Sequence, residues 1–239
     1  MLTVTNLNSG YGKFHVLFDI NIECRKSEIV SVIGPNGSGK TTLLNTIFGI
    51  ADIFSGSIFF EEKKLNGMPP YEISKVGISY LPQINNVFPD LSVKENLLIA
   101  GHKLNSKELK DAMNEVISIF PILETYLYRK AGTLSGGERQ MLAIAMTLMH
   151  RPRLIMLDEP LSGLAPIICQ KIVEKIVELR DNLNISVIIV EQNARKVLDI
   201  SDKTYLIVSG RNIFSGKPDE LLESEELIEL YLGLKVKRE

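Results

Sequence analysis

The octet Gly34-Pro35-Asn36-Gly37-Ser38-Gly39-Lys40-Thr41 constrains this chain more than any other stretch. An apolar run, Ile29–Ile33, precedes it, and a helical pattern, Thr41–Ile50, follows. A strand that passes through a glycine-rich turn into a helix is the start of a strand–helix crossover, the unit of a parallel sheet. Glycines let successive backbone N–H groups curl around an anion, and the helix N-terminus adds the positive end of its dipole. The pattern is GxxxxGK[ST]. Its chemistry predicts that Gly34, Asn36, Gly37, Ser38 and Gly39 shape a phosphate cradle. Lys40 is expected to reach the β- and γ-phosphates of a nucleotide, Thr41 to ligate Mg²⁺ and Thr42 to meet the α-phosphate.

The rest of the chain agrees with such a sheet. Short apolar runs at Leu154–Leu157, Val187–Val190 and Tyr205–Val208 read as further buried strands, with helical patterns at Glu138–Met149 and Pro166–Asn182. The first 30 residues and Ser57–Phe60 read as an antiparallel flank, while Val87 to Tyr128 is helix-rich without a strand pattern of comparable strength. The predicted fold is therefore α/β, with a mainly parallel core sheet, an antiparallel β flank and a helical subdomain inserted at 87–150 of a single domain spanning 1–239. The charged stretch Lys235–Glu239 is expected to fray.

Composition removes several classes of function. With 27 basic against 29 acidic residues and a net charge of −2, nucleic acid is not expected as the main partner, because that binding is dominated by basic phosphate contacts. Cys24 and Cys169 lie too far apart for a paired metal or redox motif and read as small buried apolar residues. His15, His102 and His150 have no ligand spacing. No signal-peptide pattern opens the sequence, and the longest apolar runs are far shorter than the roughly 18 residues of a membrane span.

Two further motifs bear on chemistry. Leu154–Leu157 ends in Asp158 and Glu159: a carboxylate at the strand end can hold Mg²⁺, and the next can orient a water as general base. The stretch Leu134-Ser135-Gly136-Gly137-Glu138-Arg139-Gln140 enters a long helix through a small-residue turn, a second anion site. One chain cannot easily aim two such sites at the same phosphate from opposite sides. A pair of chains can, with the nucleotide sandwiched between them.

Together these residues resemble the ATP-binding subunits of ABC transporters, and the resemblance covers essentially the whole chain. It implies ATP and Mg²⁺ as cofactors, ATP hydrolysis, and a position at the cytoplasmic face of the cell membrane as a peripheral subunit. It also implies two kinds of partner, membrane permease subunits and a second ATPase subunit, identical or related. The same resemblance implies that Tyr11 stacks on adenine and that Gln83, after Leu81-Pro82, senses Mg²⁺ and the membrane partner. Leu161–Ala165 would contact the opposing subunit's site, with Ser135, Gly136 and Gly137 serving the partner's nucleotide. Where most of the family carries a histidine beside the γ-phosphate, this chain has Gln192, which leaves Glu159 as the better catalytic base.

Within the family the chain is most similar to the second ATPase of branched-chain amino-acid uptake systems, the LivF type. The marks are Arg129–Thr133, Met141–Ile144, Gly163–Pro166, Val190–Ala194 and the ending Tyr231–Leu234. This implies an importer with an indirect link to a solute-binding protein. Urea and amide importers use very similar ATPases and stay open as an alternative. An ABC ATPase of DNA repair or translation is the rival from another class. The gap between Lys40 and Ser135 is too short for a repair protein's coiled coil, and ribosome-acting forms usually carry two cassettes per chain. A non-hydrolysing nucleotide-binding regulator is opposed by the presence of Lys40 and Glu159.

Overall fold

Three segments, Ile29–Ile33, Leu154–Asp158 and Ser186–Glu191, are buried at every residue, the pattern of strands covered on both faces. A computed structural model describes residues 1–84, 86–193, 195–224 and 227. The chain runs β1 (Leu2–Tyr11), β2 (Phe14–Cys24), β3 (Ile29–Ile33), α1 (Lys40–Ile47), β4 (Asp52–Phe60), β5 (Lys63–Lys64), α2 (Pro70–Lys75) and β6 (Ile78–Leu81). Four helices follow: α3 (Val93–Ala100), α4 (Ser106–Ile119), α5 (Ile122–Thr125) and α6 (Gly136–Leu148). The remainder alternates again: β7 (Leu154–Asp158), α7 (Pro166–Leu183), β8 (Ser186–Glu191), α8 (Arg195–Leu198), β9 (Lys203–Val208), β10 (Arg211–Gly216) and α9 (Pro218–Leu222).

Six strands form the central sheet in the order β10-β9-β3-β8-β7-β6, parallel except for β10, which pairs antiparallel with β9 at one edge. A second sheet, β2-β1-β4-β5, is antiparallel throughout. This is the α/β architecture read from the sequence, including the flank.

Side chains alternate across the central sheet and feed two cores, as the two-residue strand period requires. Ile29, Ile33, Ile155, Leu157, Val187 and Ile189 pack with Leu142 and Ala145 of α6 and Ile172 and Ile176 of α7. Their neighbours Val30, Val32, Met156, Ile188 and Val190 point the other way, onto Leu43, Leu44 and Ile47 of α1 and the antiparallel sheet. The central sheet is thus sandwiched, and its strand ends are the free edges where a ligand can be met.

The interval 87–150 holds α3 to α6 and no strand among its described residues. Each long helix there has a local start signal. Ser92, Asn105 and Ser135 each close a reciprocal capping box with Glu95, Glu108 and Glu138 respectively. Helix α6 packs on β6 as well as on α3, α4 and α5, so the helical interval and the sheet share one core. Tyr231–Leu234 and Lys235–Glu239 lie outside the described residues, as does Ala194. Among the described residues no helix is long and apolar enough to cross a membrane. Cys24 and Cys169 are both free and buried, as expected.

Candidate functional site

Parallel strands deliver their C-terminal ends to one edge of a sheet, and ligands of open α/β sheets bind there. In this chain β3 ends in the glycine loop, β7 in Asp158-Glu159, β8 in Glu191-Gln192, and β6 in Leu81-Pro82-Gln83. Since β3, β8, β7 and β6 are consecutive neighbours, the four ends are adjacent. They surround a cavity of about 490 Å³, lined by residues 36–42 together with Val16, Gln83, Glu159, Ser162 and Gln192.

The glycine loop is built for a close visitor. Gly34 has φ +154°, and a Cβ there would collide with the carbonyl of Ile207 on the neighbouring strand, so the loop can leave β3 only through glycine. Gly39 caps α1 in a left-handed conformation with no side-chain cap. The first N–H groups of α1 therefore have neither an intrahelical nor a side-chain partner, and they face the cavity. Ser38 is 3% exposed, and its hydroxyl oxygen has no hydrogen-bond partner. Lys40 is 5% exposed, and its Nζ donates to the carbonyls of Gly34 and Pro35, each at 2.9 Å. Burial lowers its pKa, while Glu159, Asp158 and Glu191 pull the other way. A buried cation, an orphaned hydroxyl and uncapped N–H groups together fit a polyphosphate.

Opposite the loop stand the carboxylates. Asp158 is 1% exposed and takes a hydroxyl on each oxygen: Thr41 Oγ1 donates to Oδ1 at 3.2 Å and Tyr80 to Oδ2 at 3.3 Å. Burial raises the Asp158 pKa against the opposing Thr41 bond. Glu159 adopts φ +47°, a left-handed backbone that costs a non-glycine residue of order 1 kcal/mol or more. Its N–H donates to the Val190 carbonyl on β8 at 2.9 Å, and its Oε2 accepts from Gln83 Nε2 at 2.9 Å. Among the described residues no cluster of three or more His, Cys, Asp or Glu side chains could hold a metal ion. Thr41 and Asp158 nevertheless fit Mg²⁺, which is usually held by one or two carboxylates plus substrate phosphates rather than by an all-protein cage.

Residues 17–162 match the ABC transporter family. The chain belongs to that family. It is the ATP-binding, ATP-hydrolysing subunit of an ABC transporter. The cassette is 46% identical over 234 residues to the probable branched-chain amino acid transport ATP-binding protein LivF of Archaeoglobus fulgidus, across 98% of this chain and 99% of the relative. Its fold matches the ADP conformation of an ATP-binding cassette of an ABC transporter with a TM-score of 0.88 and 28% identity, over 96% of this chain and 97% of that one. It also matches a dimeric, post-hydrolysis ATP-binding cassette bound to ADP and Pi with a TM-score of 0.79 and 25% identity, over 91% and 99% of the two chains.

The sequence-derived residues of the cassette divide into two groups. Asn36, Gly37, Ser38, Gly39, Lys40, Thr41, Thr42, Gln83, Glu159 and Gln192 line the cavity. Gly34 and Asp158 stand directly behind it, bonded to Lys40 and Thr41. Three signature residues do not join them: Ser135, Gly136 and Gly137 start α6, with the Ser135 hydroxyl accepting from the Glu138 N–H at 3.3 Å. Tyr11, at the end of β1, is not among the lining residues either, and its hydroxyl accepts from Asn45 Nδ2 of α1 at 2.8 Å. Sequence reasoning missed Val16, Tyr80 and Glu191, and placed Ser162, within Leu161–Ala165, only toward the opposing subunit's site, whereas it lines this chain's own cavity. Glu191 carried a local signal, a charged residue ending an otherwise apolar strand; Tyr80 is identified by its place on β6 beside β7, and Val16 by the packing of β2 of the antiparallel sheet against the site.

Proposed function

We propose that this cassette powers an importer of branched-chain amino acids, driving membrane permease subunits by closing as a dimer on two Mg·ATP. The observation that carries the reading is the division of the site. Lys40, Asp158, Glu159 and Gln192 gather at one sheet edge, while the second anion-binding turn, Ser135 to Gly137, lies outside that cavity. A nucleotide on the phosphate loop needs another chain to bring that turn to it. The similarity to a branched-chain amino acid transport protein over nearly the whole chain supports the substrate class.

In this reading the uncapped N-terminus of α1 and the Lys40 ammonium bind the phosphates, and the Ser38 hydroxyl gains the partner it lacks. Thr41, Asp158 and Gln83 would hold Mg²⁺, which neutralises phosphate charge when bound. Glu159 accepts the proton of the attacking water as general base, and its strained backbone aims the carboxylate into the cavity. Gln192 donates its amide N–H toward the γ-phosphate; at neutral pH an amide is no acid–base group, so its part is orientation and charge stabilisation. Tyr11 supplies the ring for adenine. Ser135, Gly136 and Gly137 act on the partner's nucleotide, and closure is transmitted to permease subunits docked near Gln83 and the helical subdomain 87–150 at the cytoplasmic face. A solute-binding protein communicates only through that permease.

The test is reconstitution of the cassette with its copurifying permease and receptor in vesicles. Leucine in the receptor should stimulate ATP turnover and be taken up, and Lys40→Ala should abolish both. Stimulation by urea or an amide, with none by leucine, would move the substrate class. Copurification with ribosomes or DNA instead of a permease would overturn the transport reading.

A further inference from the structure

Leu161 lies in the loop between Glu159 and α7, and side chains from other elements hold both of its backbone polar groups. Its N–H donates to Glu191 Oε1 at 2.9 Å; its carbonyl accepts from Lys196 Nζ at 3.2 Å and from Cys169 Sγ at 3.6 Å. Glu191 is 2% exposed and Leu161 is fully buried. A carboxylate so deep is costly to keep charged; the Leu161 N–H and the nearby Lys196 charge offset part of that cost. The clamp also has a definite address. Glu191 and Lys196 flank Gln192 in the chain, whereas Leu161 sits between Glu159 and Ser162. Gln192, Glu159 and Ser162 all line the cavity.

We propose that Glu191 and Lys196 are positioning residues that, by clamping the backbone of Leu161, fix Gln192 relative to Glu159 across the nucleotide cavity. The inference rests on the roles given above to Glu159 and Gln192. The ends of β7 and β8 are already tied by the Glu159 N–H to the Val190 carbonyl. The clamp adds a second tie, two residues past Glu159 on one side and one past Val190 on the other, and makes the two cavity walls one unit. Catalytic groups misplaced by about 1 Å lose on the order of a hundredfold in rate, so a tie of this kind has kinetic weight. The groups facing the Glu191 carboxylate are Lys196 of α8, Glu159 after β7, Lys40 of α1 and the N–H groups of Leu161 and Gln192. Burial, the strongest of these influences, pushes Glu191 up to about 7, so its charge changes near neutrality.

Steady-state ATP turnover on both sides of neutral pH, with amide hydrogen exchange of the nucleotide-free protein, tests the clamp. Glu191→Ala should lower kcat roughly 10- to 100-fold with KM changed by no more than about twofold. It should also raise exchange at the Leu161 N–H. Glu191→Gln keeps an acceptor for that N–H and should recover most of kcat, while losing the inflection near neutrality. Lys196→Met, at the half-buried end, serves where Glu191→Ala does not fold, and should lower kcat with an unchanged thermal midpoint. Wild-type kcat in both Glu191→Ala and Lys196→Met, or unchanged protection of Leu161 in a folded Glu191→Ala, would overturn the proposal. Wild-type turnover in Glu159→Gln and Gln192→Ala would overturn the underlying roles instead, and the Leu161 exchange would still judge the clamp.

Discussion

Replacing Glu191 by glutamine should change how stability depends on pH, by an amount that follows from where the carboxylate sits. The side chain is almost fully buried, and desolvation raises its pKa from the ordinary 4.5 to about 7 despite the Leu161 N–H and Lys196. Between those two values the folded state holds a proton that the unfolded chain has released. Linkage then gives the sign: the contribution of Glu191 is fully present below 4.5 and falls as pH rises toward 7. At 1.36 kcal/mol per pKa unit, the loss across that window is about 3 kcal/mol. Glutamine has no proton to lose, so the difference in unfolding free energy between variant and wild type should move by about 3 kcal/mol in the variant's favour from pH 4.5 to pH 8. For a chain of this size that corresponds to roughly 6–12 °C in relative midpoint. Urea unfolding of both proteins at a series of pH values reads it directly, and titrating groups that do not face Glu191 cancel in the difference. Parallel stability curves would mean that Glu191 ionises normally and that its burial carries no electrostatic cost.

The other predictions concern turnover. Glu159→Gln keeps the shape of the side chain and an acceptor for Gln83, yet cannot take a proton; hydrolysis should fall 10²–10⁴-fold with Mg·ATP binding retained. Gel filtration with ATP should then show a trapped dimer, and wild-type turnover would move the base elsewhere. Ser135→Arg should abolish turnover while leaving ATP binding by the isolated chain nearly intact, because α6 starts outside the cavity; equal loss of monomer binding, measured by fluorescent nucleotide titration, would contradict the two-chain site. Gln192→Ala should lower hydrolysis on the order of 10²–10³-fold with little change in ATP affinity, and Gln192→His should recover part of it by supplying a similar N–H. An alanine variant as fast as wild type would make Gln192 structural.

What the sequence determined by itself is whatever a few consecutive residues can enforce. The glycine loop was legible because the chain's exit from β3 and the uncapped start of α1 both follow from residues 34–41. The buried strands β3, β7 and β8 announced themselves as apolar runs, and Asp158-Glu159 closes one of them. The short β6, with Ser79 and Tyr80 breaking its apolar pattern, and the edge strand β10, with its half-exposed residues, gave no such run. Only the tertiary structure decided what meets across the sheet. Tyr80 reaches Asp158 across 78 positions, Gln83 reaches Glu159 across 76, and Glu191 takes the Leu161 N–H across 30. None of these pairs has a local signature, because strand order, not sequence distance, brings the ends of β6, β7 and β8 together. Burial is likewise a property of the assembled layers, and it is burial that moves the pKa values of Lys40, Asp158 and Glu191.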